Sequence, residues 1–274
     1  MSRRGFRLSA WTGMMGLALV FVSLSASAYQ TITMDNGDVV RWKGSCYYYT
    51  LHEDGAPGIK FSDLEEAIRA SFAQWTDLEC SYFYVKETKP ASCVEIGFNE
   101  EGGNMNLLVW QHDQWPHNEP NAMALTTLSY DHKTGEILDA DIEFNAYNFV
   151  FGLDGSISKA DLRNTASHEI GHTLGLDHST DPNATMYGMA MPGETNKRTI
   201  SEDDEKGVCS LYPVQDDPET CDEPICGLNL TCKPNDCSAQ SKGKSKGCVA
   251  SEVGAPAGWS LLALFPLDIL RALF

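Results

Sequence analysis

Two segments of the chain carry an apolar residue at every third or fourth position, the spacing of one face of an α-helix. The apolar stripes are Leu64, Ile68, Phe72 and Trp75 in the first segment, and Leu162, Ala166, Ile170 and Leu174 in the second. A serine with an acidic residue three positions later occurs at residues 62–65 and 158–161, so we expect a capping box at each helix start. The pattern therefore predicts two amphipathic helices that each bury one face.

Seven other segments are rich in β-branched and aromatic residues or alternate between apolar and polar residues, as strands do. They cover residues 39–42, 46–50, 82–85, 94–98, 107–110, 122–130 and 137–145. In the last segment four oxygen-bearing side chains alternate with apolar ones, namely Asp139, Asp141, Glu143 and Asn145. A half-buried strand with a polar face explains this alternation, and so does a row of ligands for Ca²⁺, so the sequence leaves a calcium site open.

The first 28 residues have the composition of a secretory signal. Their basic start consists of Arg3, Arg4 and Arg7. An apolar run follows over residues 14–24, and a small-residue cleavage site ends at Ala28. A signal over residues 1–28 predicts a secreted, extracellular protein whose mature chain begins at Tyr29.

The chain has nine cysteines, which in an exported protein favour disulfide bonds over free thiols. Cys80 and Cys93 flank the strand segment 82–85 and the turn after it, so a hairpin could join them. Cys209 would then pair with Cys46. Four cysteines allow three connectivities, and the sequence leaves the other two open.

The composition changes after residue 213. Residues 214–248 hold five cysteines and few hydrophobic residues, as expected of a linker region that only disulfides could stabilise. Residues 249–274 form an apolar tail which, with Cys248, resembles the C-terminal sorting signals of some exported bacterial proteins. Such a tail would retain the protein at the membrane or cell surface. A plain hydrophobic terminus fits the same residues equally well.

The acidity of the chain argues against two classes of binding partner. The net charge is −18, and because residues 1–28 contribute +3, the remaining residues carry −21. A strongly anionic protein is repelled by phosphate backbones and anionic headgroups, so we expect no nucleic acid as a partner and no binding to an anionic membrane surface. The hydrophobic content of 42% is sufficient for a packed core.

The strongest chemical signal is an eleven-residue run that begins at His168 and has the pattern H-E-x-x-H-x-x-G-x-x-H. His168 and His172 are four residues apart, so on a helix their imidazoles share a face and can converge on one ion. Gly175 can end the helix in a sharp turn that returns His178 as a third ligand, leaving the fourth tetrahedral position of Zn²⁺ open. Glu169 lies beside the first ligand and would act as a general base.

This motif, followed by a methionine, resembles the metzincin zinc peptidases. Met186, within residues 184–187, matches their Met-turn, and Ser179 together with the pair of Met186 and the following tyrosine is similar to the matrixin branch. Residues 200–212 are similar to the final helix of a matrixin catalytic domain. Gly188 stands where matrixins usually have proline, which puts the wall of the specificity pocket in question.

The resemblance implies an α+β metzincin fold for residues 29–213. This fold has a twisted, mostly parallel sheet with an antiparallel edge strand, the zinc helix and a small C-terminal subdomain. The segment 122–130 is similar to the edge strand on which metzincins bind an extended peptide, so the candidate substrate-binding residues are Leu125, Thr126 and Thr127. Met186 would form the hydrophobic floor beneath the metal.

The implied function is a secreted endopeptidase that hydrolyses protein or peptide substrates with one catalytic Zn²⁺ and a water activated by Glu169. We find no cysteine-bearing pro-segment motif before the first helix. We also predict that the second, structural zinc of matrixins is absent, because the remaining histidines in that region lack a metal-ligand spacing. These histidines are His112, His117 and His132.

Two other interpretations compete with the peptidase. A catalytically silent zinc protein would bind surfaces through its cysteine-rich tail, and a structural zinc domain would use the three histidines as ligands alone. The structural alternative is disfavoured, because it lacks a fourth ligand and leaves Glu169 without a task. Every position that catalysis needs is present, which favours the peptidase over the silent protein.

Overall fold

The two apolar stripes form helices that pack against a mixed β-sheet. The computed structural model describes residues 28–99, 103–222, 228 and 230. Its helices are α1 (Phe61–Thr76), α2 (Leu162–Thr173) and α3 (Glu202–Leu211). Its strands are β1 (Gln30–Thr31), β2 (Cys46–Leu51), β3 (Tyr84–Glu87), β4 (Asn106–Trp110), β5 (Ala124–Tyr130), β6 (Ile137–Phe144), β7 (Phe151–Gly152), β8 (Ala160–Asp161) and β9 (Leu176–Asp177). Two 3₁₀ helices cover Asn196–Arg198 and Val214–Asp216.

Five strands form the main sheet, in the order β3-β2-β4-β6-β5. All neighbouring strands are parallel except β5, which runs antiparallel to β6 and occupies an edge of the sheet. The short strands pair separately, β1 with β9 and β7 with β8. The predicted α+β fold, with a mostly parallel sheet and an antiparallel edge strand, is therefore confirmed.

The apolar stripes of α1 and α2 lie in one hydrophobic core with the inner face of the sheet. All four stripe residues of α2 are completely buried, and those of α1 are at most 2% exposed. Removing such side chains from water supplies roughly 1.5–3 kcal/mol each, which explains why these two segments fold as helices against the sheet. Among the described residues, none of the helices has the length and apolar character of a membrane-spanning segment.

The predicted capping boxes at α1 and α2 are wrong. Helix α1 begins one residue before Ser62, and its N-cap Lys60 makes no side-chain capping bond. Helix α2 begins after Asp161, whose own carboxylate accepts from the backbone N–H of Asn164 at 3.0 Å. Residues Ala160–Asp161 are extended because they pair with β7, so the helix cannot start earlier at Ser158.

Two predicted strands and the predicted hairpin are also wrong. Residues 39–42 make only isolated bridges, because Val39 pairs with Thr33 and Arg41 with Glu136 of a different segment. Residues 94–98 form no strand, and the N–H groups of Gly97 and Phe98 donate to side chains of the neighbouring strands instead. Strand β3 does not fold back as a hairpin but runs parallel to β2, with Tyr84 opposite Cys46. The turn that was expected to bring Cys80 next to Cys93 is therefore not formed.

The disulfides follow from this topology and correct the predicted pairing. Cys80 bonds to Cys209 in α3, and Cys46 bonds to Cys221. Cys93 is disulfide-bonded as well. Because Cys221 lies beyond residue 213, its bond holds the start of the cysteine-rich region against β2, where Ser45 N–H also donates to the Thr220 carbonyl at 2.6 Å. Most of the cysteine-rich region, the apolar tail and residues 1–27 of the predicted signal lie outside the described residues.

One of the two alternatives for residues 137–145 required a half-buried strand, but both faces of strand β6 are buried. Asp139, Asp141, Glu143 and Asn145 are each at most 3% exposed. Asp141 accepts backbone N–H bonds from Gly97 and Leu107, and Glu143 contacts Gln111 and His117 at 2.7 and 2.9 Å. Segments on the outer face of the sheet thus cover the polar face and use most of its oxygen atoms internally.

Candidate active site and metal centre

The three histidines of the motif converge at the end of α2. The imidazole centroids of His168, His172 and His178 lie 4.9 to 5.2 Å apart. One ligand nitrogen from each ring lies within 4.8 Å of the others, close enough to bind one ion. Within the described part of the chain, the other such group is Cys80, Glu205 and Cys209, in which the two cysteines are disulfide-bonded.

Backbone carbonyls fix the orientation of two of the rings. His168 Nδ1–H donates to the Thr185 carbonyl at 2.6 Å, and His172 Nδ1–H donates to the Leu176 carbonyl at 2.8 Å. Because a carbonyl can only accept, Nδ1 carries the proton in each ring and Nε2 keeps its lone pair for a metal. This tautomer presents Nε2 of both rings as the atom that can bind zinc.

Gly175 makes the turn that brings in the third histidine. Its φ is +93°, and a Cβ atom at this position would lie 2.3 Å from the Val40 carbonyl oxygen. Any other residue would therefore be strained and would collide with the backbone. After this turn β9 pairs with β1, and His178 N–H donates to the Asp177 carboxylate at 2.7 Å.

The site favours neutral imidazoles, the form that binds metal. Burial, followed by the neighbouring His178, lowers the pKa of His172 to about 3, and burial also lowers the pKa of His168 and His178. Three neutral nitrogen donors, with no fourth ligand from the part of the chain that the structure describes, suit Zn²⁺ in a catalytic site, since a structural site supplies four protein ligands. The donor set therefore fits the metal that the sequence predicts.

Glu169 is buried next to the first histidine and is held by the edge strand. Thr126 Oγ1–H donates to Glu169 Oε2 at 2.7 Å and lies 3.2 Å from the Glu169 carbonyl oxygen. Burial raises the pKa of Glu169 to about 7, and the bond from Thr126 partly opposes this shift. A carboxyl group that titrates near neutral pH can both accept and return a proton.

The edge strand thus has a contact that the sequence did not indicate. Leu125, Thr126 and Thr127 lie in β5 and are at most 8% exposed, so their side chains are not free to bind a ligand in solution. The side chain of Thr126 points to α2 and orients Glu169. What β5 could offer a peptide is its backbone, because β5 is the last strand of the sheet that the described residues form.

Met186 lies directly beneath the zinc helix. A Cβ atom on Gly171 of α2 would meet Met186 Sδ at 2.1 Å, so a glycine is needed for this close approach. Asp204 in α3 holds the turn, because its carboxylate accepts from Thr185 N–H at 2.7 Å and from Met186 N–H at 3.0 Å. Sequence reasoning missed Asp204, although its place in the final helix, in a capping box with Ser201, was an available signal.

Comparison with known proteins agrees with this geometry. The matrixin (Peptidase_M10) family model matches residues 41–213. The chain is 28% identical over 174 residues to matrix metalloproteinase-20 of Homo sapiens, an alignment that covers 63% of this chain and 32% of the relative. It is 25% identical over 181 residues to human neutrophil collagenase, with 65% and 34% covered, and 35% identical over 100 residues to human matrilysin, with 36% and 35% covered.

The chain spans about a third of the length of the curated relatives it matches. The family model, by contrast, covers well over half of this chain and includes the zinc helix, the edge strand and the turn at Met186. The matched range also contains the five strands of the main sheet and the final helix described above. The chain belongs to the matrixin family.

Proposed function

We propose that this protein is a secreted, zinc-dependent endopeptidase that cleaves protein or peptide substrates. The observation that carries the proposal is the convergence of three neutral imidazoles, with no fourth protein ligand among the described residues, beside the buried carboxylate of Glu169. Membership of the matrixin family supports the same reaction class. The alternatives of a silent or a structural zinc site leave the buried Glu169 and its bond from Thr126 without a purpose.

His168, His172 and His178 would hold the metal. When bound in such a site, Zn²⁺ acts as a Lewis acid that polarises the scissile carbonyl and acidifies water. Glu169 would accept the proton of the attacking water and then deliver it to the leaving amine. Thr126 would keep the carboxylate of Glu169 in place during both transfers. Met186 would pack beneath the three rings and keep their geometry rigid.

The substrate would bind as an extended strand along the free edge of β5. Backbone N–H and C=O groups of Leu125, Thr126 and Thr127 are the candidates for hydrogen bonds to the peptide, since an edge strand offers pairing positions to another chain. Such bonds are independent of the substrate's side chains. Selection among peptides would therefore come from the walls of the cleft rather than from β5.

The test compares the wild type with Glu169→Ala on casein, gelatin and a broad peptide library. We expect the wild type to bind one Zn²⁺ per chain and to cleave, with cleavage abolished by phenanthroline and restored by added zinc. Glu169→Ala should keep its zinc and lose cleavage. A metal-loaded wild type that cleaves no peptide in the library would refute the peptidase and favour the silent alternative.

The cellular location is part of the same proposal. Mass spectrometry of the mature protein should find Tyr29 at its N-terminus if residues 1–28 act as a signal. Fractionation of producing cells distinguishes release into the medium from surface retention by the apolar tail. For calcium, unfolding measured with and without Ca²⁺ provides the test, because the oxygen atoms on β6 are largely occupied by internal bonds.

A further inference from the structure

A buried lysine lies close behind the candidate site. Lys197, in the 3₁₀ helix Asn196–Arg198, is 4% exposed. Its Nζ donates to the carbonyl oxygens of Tyr187 and, at 2.9 Å, of Met189. Among the described residues it takes part in no ion pair, unlike its neighbour Arg198. A buried ammonium is costly unless its surroundings compensate, and here the two hydrogen bonds do so together with the more distant negative charges of Glu194, Glu169 and Asp204.

The two carbonyl groups flank the glycine that packs on the third histidine. We call residues Tyr187, Gly188 and Met189 the wall segment. A Cβ atom on Gly188 would lie 3.0 Å from Nδ1 and 3.1 Å from Cε1 of His178, so the wall segment touches the imidazole ring directly. Any outward movement of the wall segment would therefore open a gap beside a proposed zinc ligand.

Gly188 also makes the wall segment intrinsically flexible. Glycine has more backbone freedom than any other residue, whereas the proline that matrixins usually carry here would fix one backbone angle. The clamp by Lys197 supplies the missing restraint from outside the segment. The lysine is itself anchored to the zinc helix, because its backbone N–H donates to Asn164 Oδ1 at 2.8 Å.

We propose that Lys197 is a positioning residue that holds the wall segment against His178 and so determines which substrate side chains fit next to the scissile bond. This inference rests on the proposed peptidase function. A loosened wall would accept side chains of different size with less discrimination. A loss of overall stability, in contrast, would reduce the cleavage of all substrates by the same factor.

The experiment measures kcat/KM for two peptides that differ only in the residue after the scissile bond, leucine or alanine. We expect Lys197→Met, which keeps the length of the side chain but loses its donors, to change the leucine-to-alanine ratio by about fivefold or more. Zinc content is measured on the same samples, so that loss of metal is not mistaken for loss of selectivity.

The matched control is Arg198→Met on the same 3₁₀ helix. Arg198 bonds to Asp161 and, at 2.7 Å, to the Leu153 carbonyl, and so does not touch the wall segment. This variant should unfold at a lower temperature and keep the wild-type ratio. An equal change of the ratio in Arg198→Met would overturn the proposal.

Gly188→Ala tests the same wall from the opposite side, and an unchanged ratio in this variant would overturn the proposal even if Lys197→Met does not fold. Its new methyl group must displace the wall segment from His178, so the ratio should change here too. Where both variants fold, their effects on the ratio should be non-additive, because they act on one contact. If the variants cleave with an unchanged leucine-to-alanine ratio, only the proposed role of Lys197 is refuted. If the wild type cleaves no peptide, the proposed peptidase function is refuted.

Discussion

Two buried polar clusters lie on opposite faces of the sheet and have opposite consequences. The histidine cluster, formed by His168, His172 and His178 beside Glu169, faces α2. The carboxylate cluster, formed by Asp139, Asp141 and Glu143 on β6, faces the segment that contains Gly97. Both clusters remove titratable groups from water, yet of the two only the histidine cluster brings three ligand atoms close enough together to hold a metal ion in the described part of the chain.

The difference lies in which atoms remain after internal hydrogen bonding. In the histidine cluster, backbone carbonyls engage Nδ1 of two rings and leave Nε2 free, so bonding creates a metal ligand. In the carboxylate cluster, donors engage both oxygens of Asp141 and both of Glu143. Asp139 Oδ2 alone has no donor among the described residues. A buried polar cluster can therefore bind an ion where its internal hydrogen bonds leave several ligand atoms unbonded and directed at one point.

The largest expected effect comes from removing one ligand, with His172→Ala. We expect zinc affinity to fall by more than about 100-fold, since loss of an outer-shell partner alone costs 10–100-fold, and peptide cleavage to be lost with it. Competition with a chromophoric chelator measures the affinity. The control on the other face is Asp139→Asn, which should leave zinc affinity unchanged. Wild-type zinc affinity in His172→Ala would mean that the histidine cluster is not the metal site.

The next effect concerns the link between β5 and the base. Thr126→Val keeps the shape of the side chain and removes the hydroxyl that donates to Glu169. A hydrogen bond to a charged group contributes roughly 1.5–3 kcal/mol, so we expect kcat to fall by about tenfold or more. Thr126→Ser retains the hydroxyl and should keep most of the rate. Equal activity in both variants would show that Thr126 does not position Glu169.

These contacts also show which features of the fold and of the site the sequence could predict and which it could not. The helix that carries His168 and His172, and its buried stripe, were predictable because their spacing lies within about twelve consecutive residues, and the approach of His178 was predictable because it follows after one short turn. The bond from Thr126 to Glu169 joins residues 43 positions apart, and Asp204 reaches the turn at Met186 from another helix. Such contacts depend on how elements pack, which no local pattern encodes.

The errors had the same physical origin. The hairpin that would have paired Cys80 with Cys93 was predicted from local turn chemistry, but β3 pairs in parallel with a strand far away in the chain. The disulfides then joined residues 129 and 175 positions apart. The alternative of a half-buried β6 was wrong because the alternating pattern shows which side chains are polar and does not show which are exposed. Polar side chains can be buried when donors such as Gly97 N–H bond to them.

A smaller effect is expected from the pH dependence of the carboxylate cluster. Burial, with the neighbouring carboxylates, raises the pKa of Asp139, and burial raises the pKa of Asp141 to about 7. The folded state therefore holds a proton that the unfolded chain releases near pH 4, so stability contributed by this pair is lost as pH rises from about 4 to 7. Asp139→Asn should flatten this decline, because the amide can donate to Asp141 without a titrating proton.

The measurement is chemical denaturation of both proteins from pH 4 to 8 at fixed zinc concentration. The difference between the two curves isolates the pair from other titrating groups, and we expect it to reach at least about 1.4 kcal/mol, the equivalent of one pKa unit. Parallel curves would indicate that the two carboxyl groups share no proton. That result would reopen the carboxylate cluster as a cation site.

The smallest expected effect tests whether the carboxylate cluster extends to Glu95. This residue lies near Asp139 and raises its pKa less than burial and Asp141 do, while Asn99 Nδ2–H donates to Glu95 Oε1 at 3.1 Å. Glu95→Gln removes one negative charge, so the pKa of Asp139 in the folded protein should fall and the loss of stability should end at lower pH, by less than one unit. The same substitution made in Asp139→Asn should have no such effect, because the group that senses the charge is gone. If Glu95→Gln shifts the pH dependence of stability equally in the wild type and in Asp139→Asn, Glu95 acts on the unfolded chain or on another group. The carboxylate cluster would then consist of the residues on β6 alone.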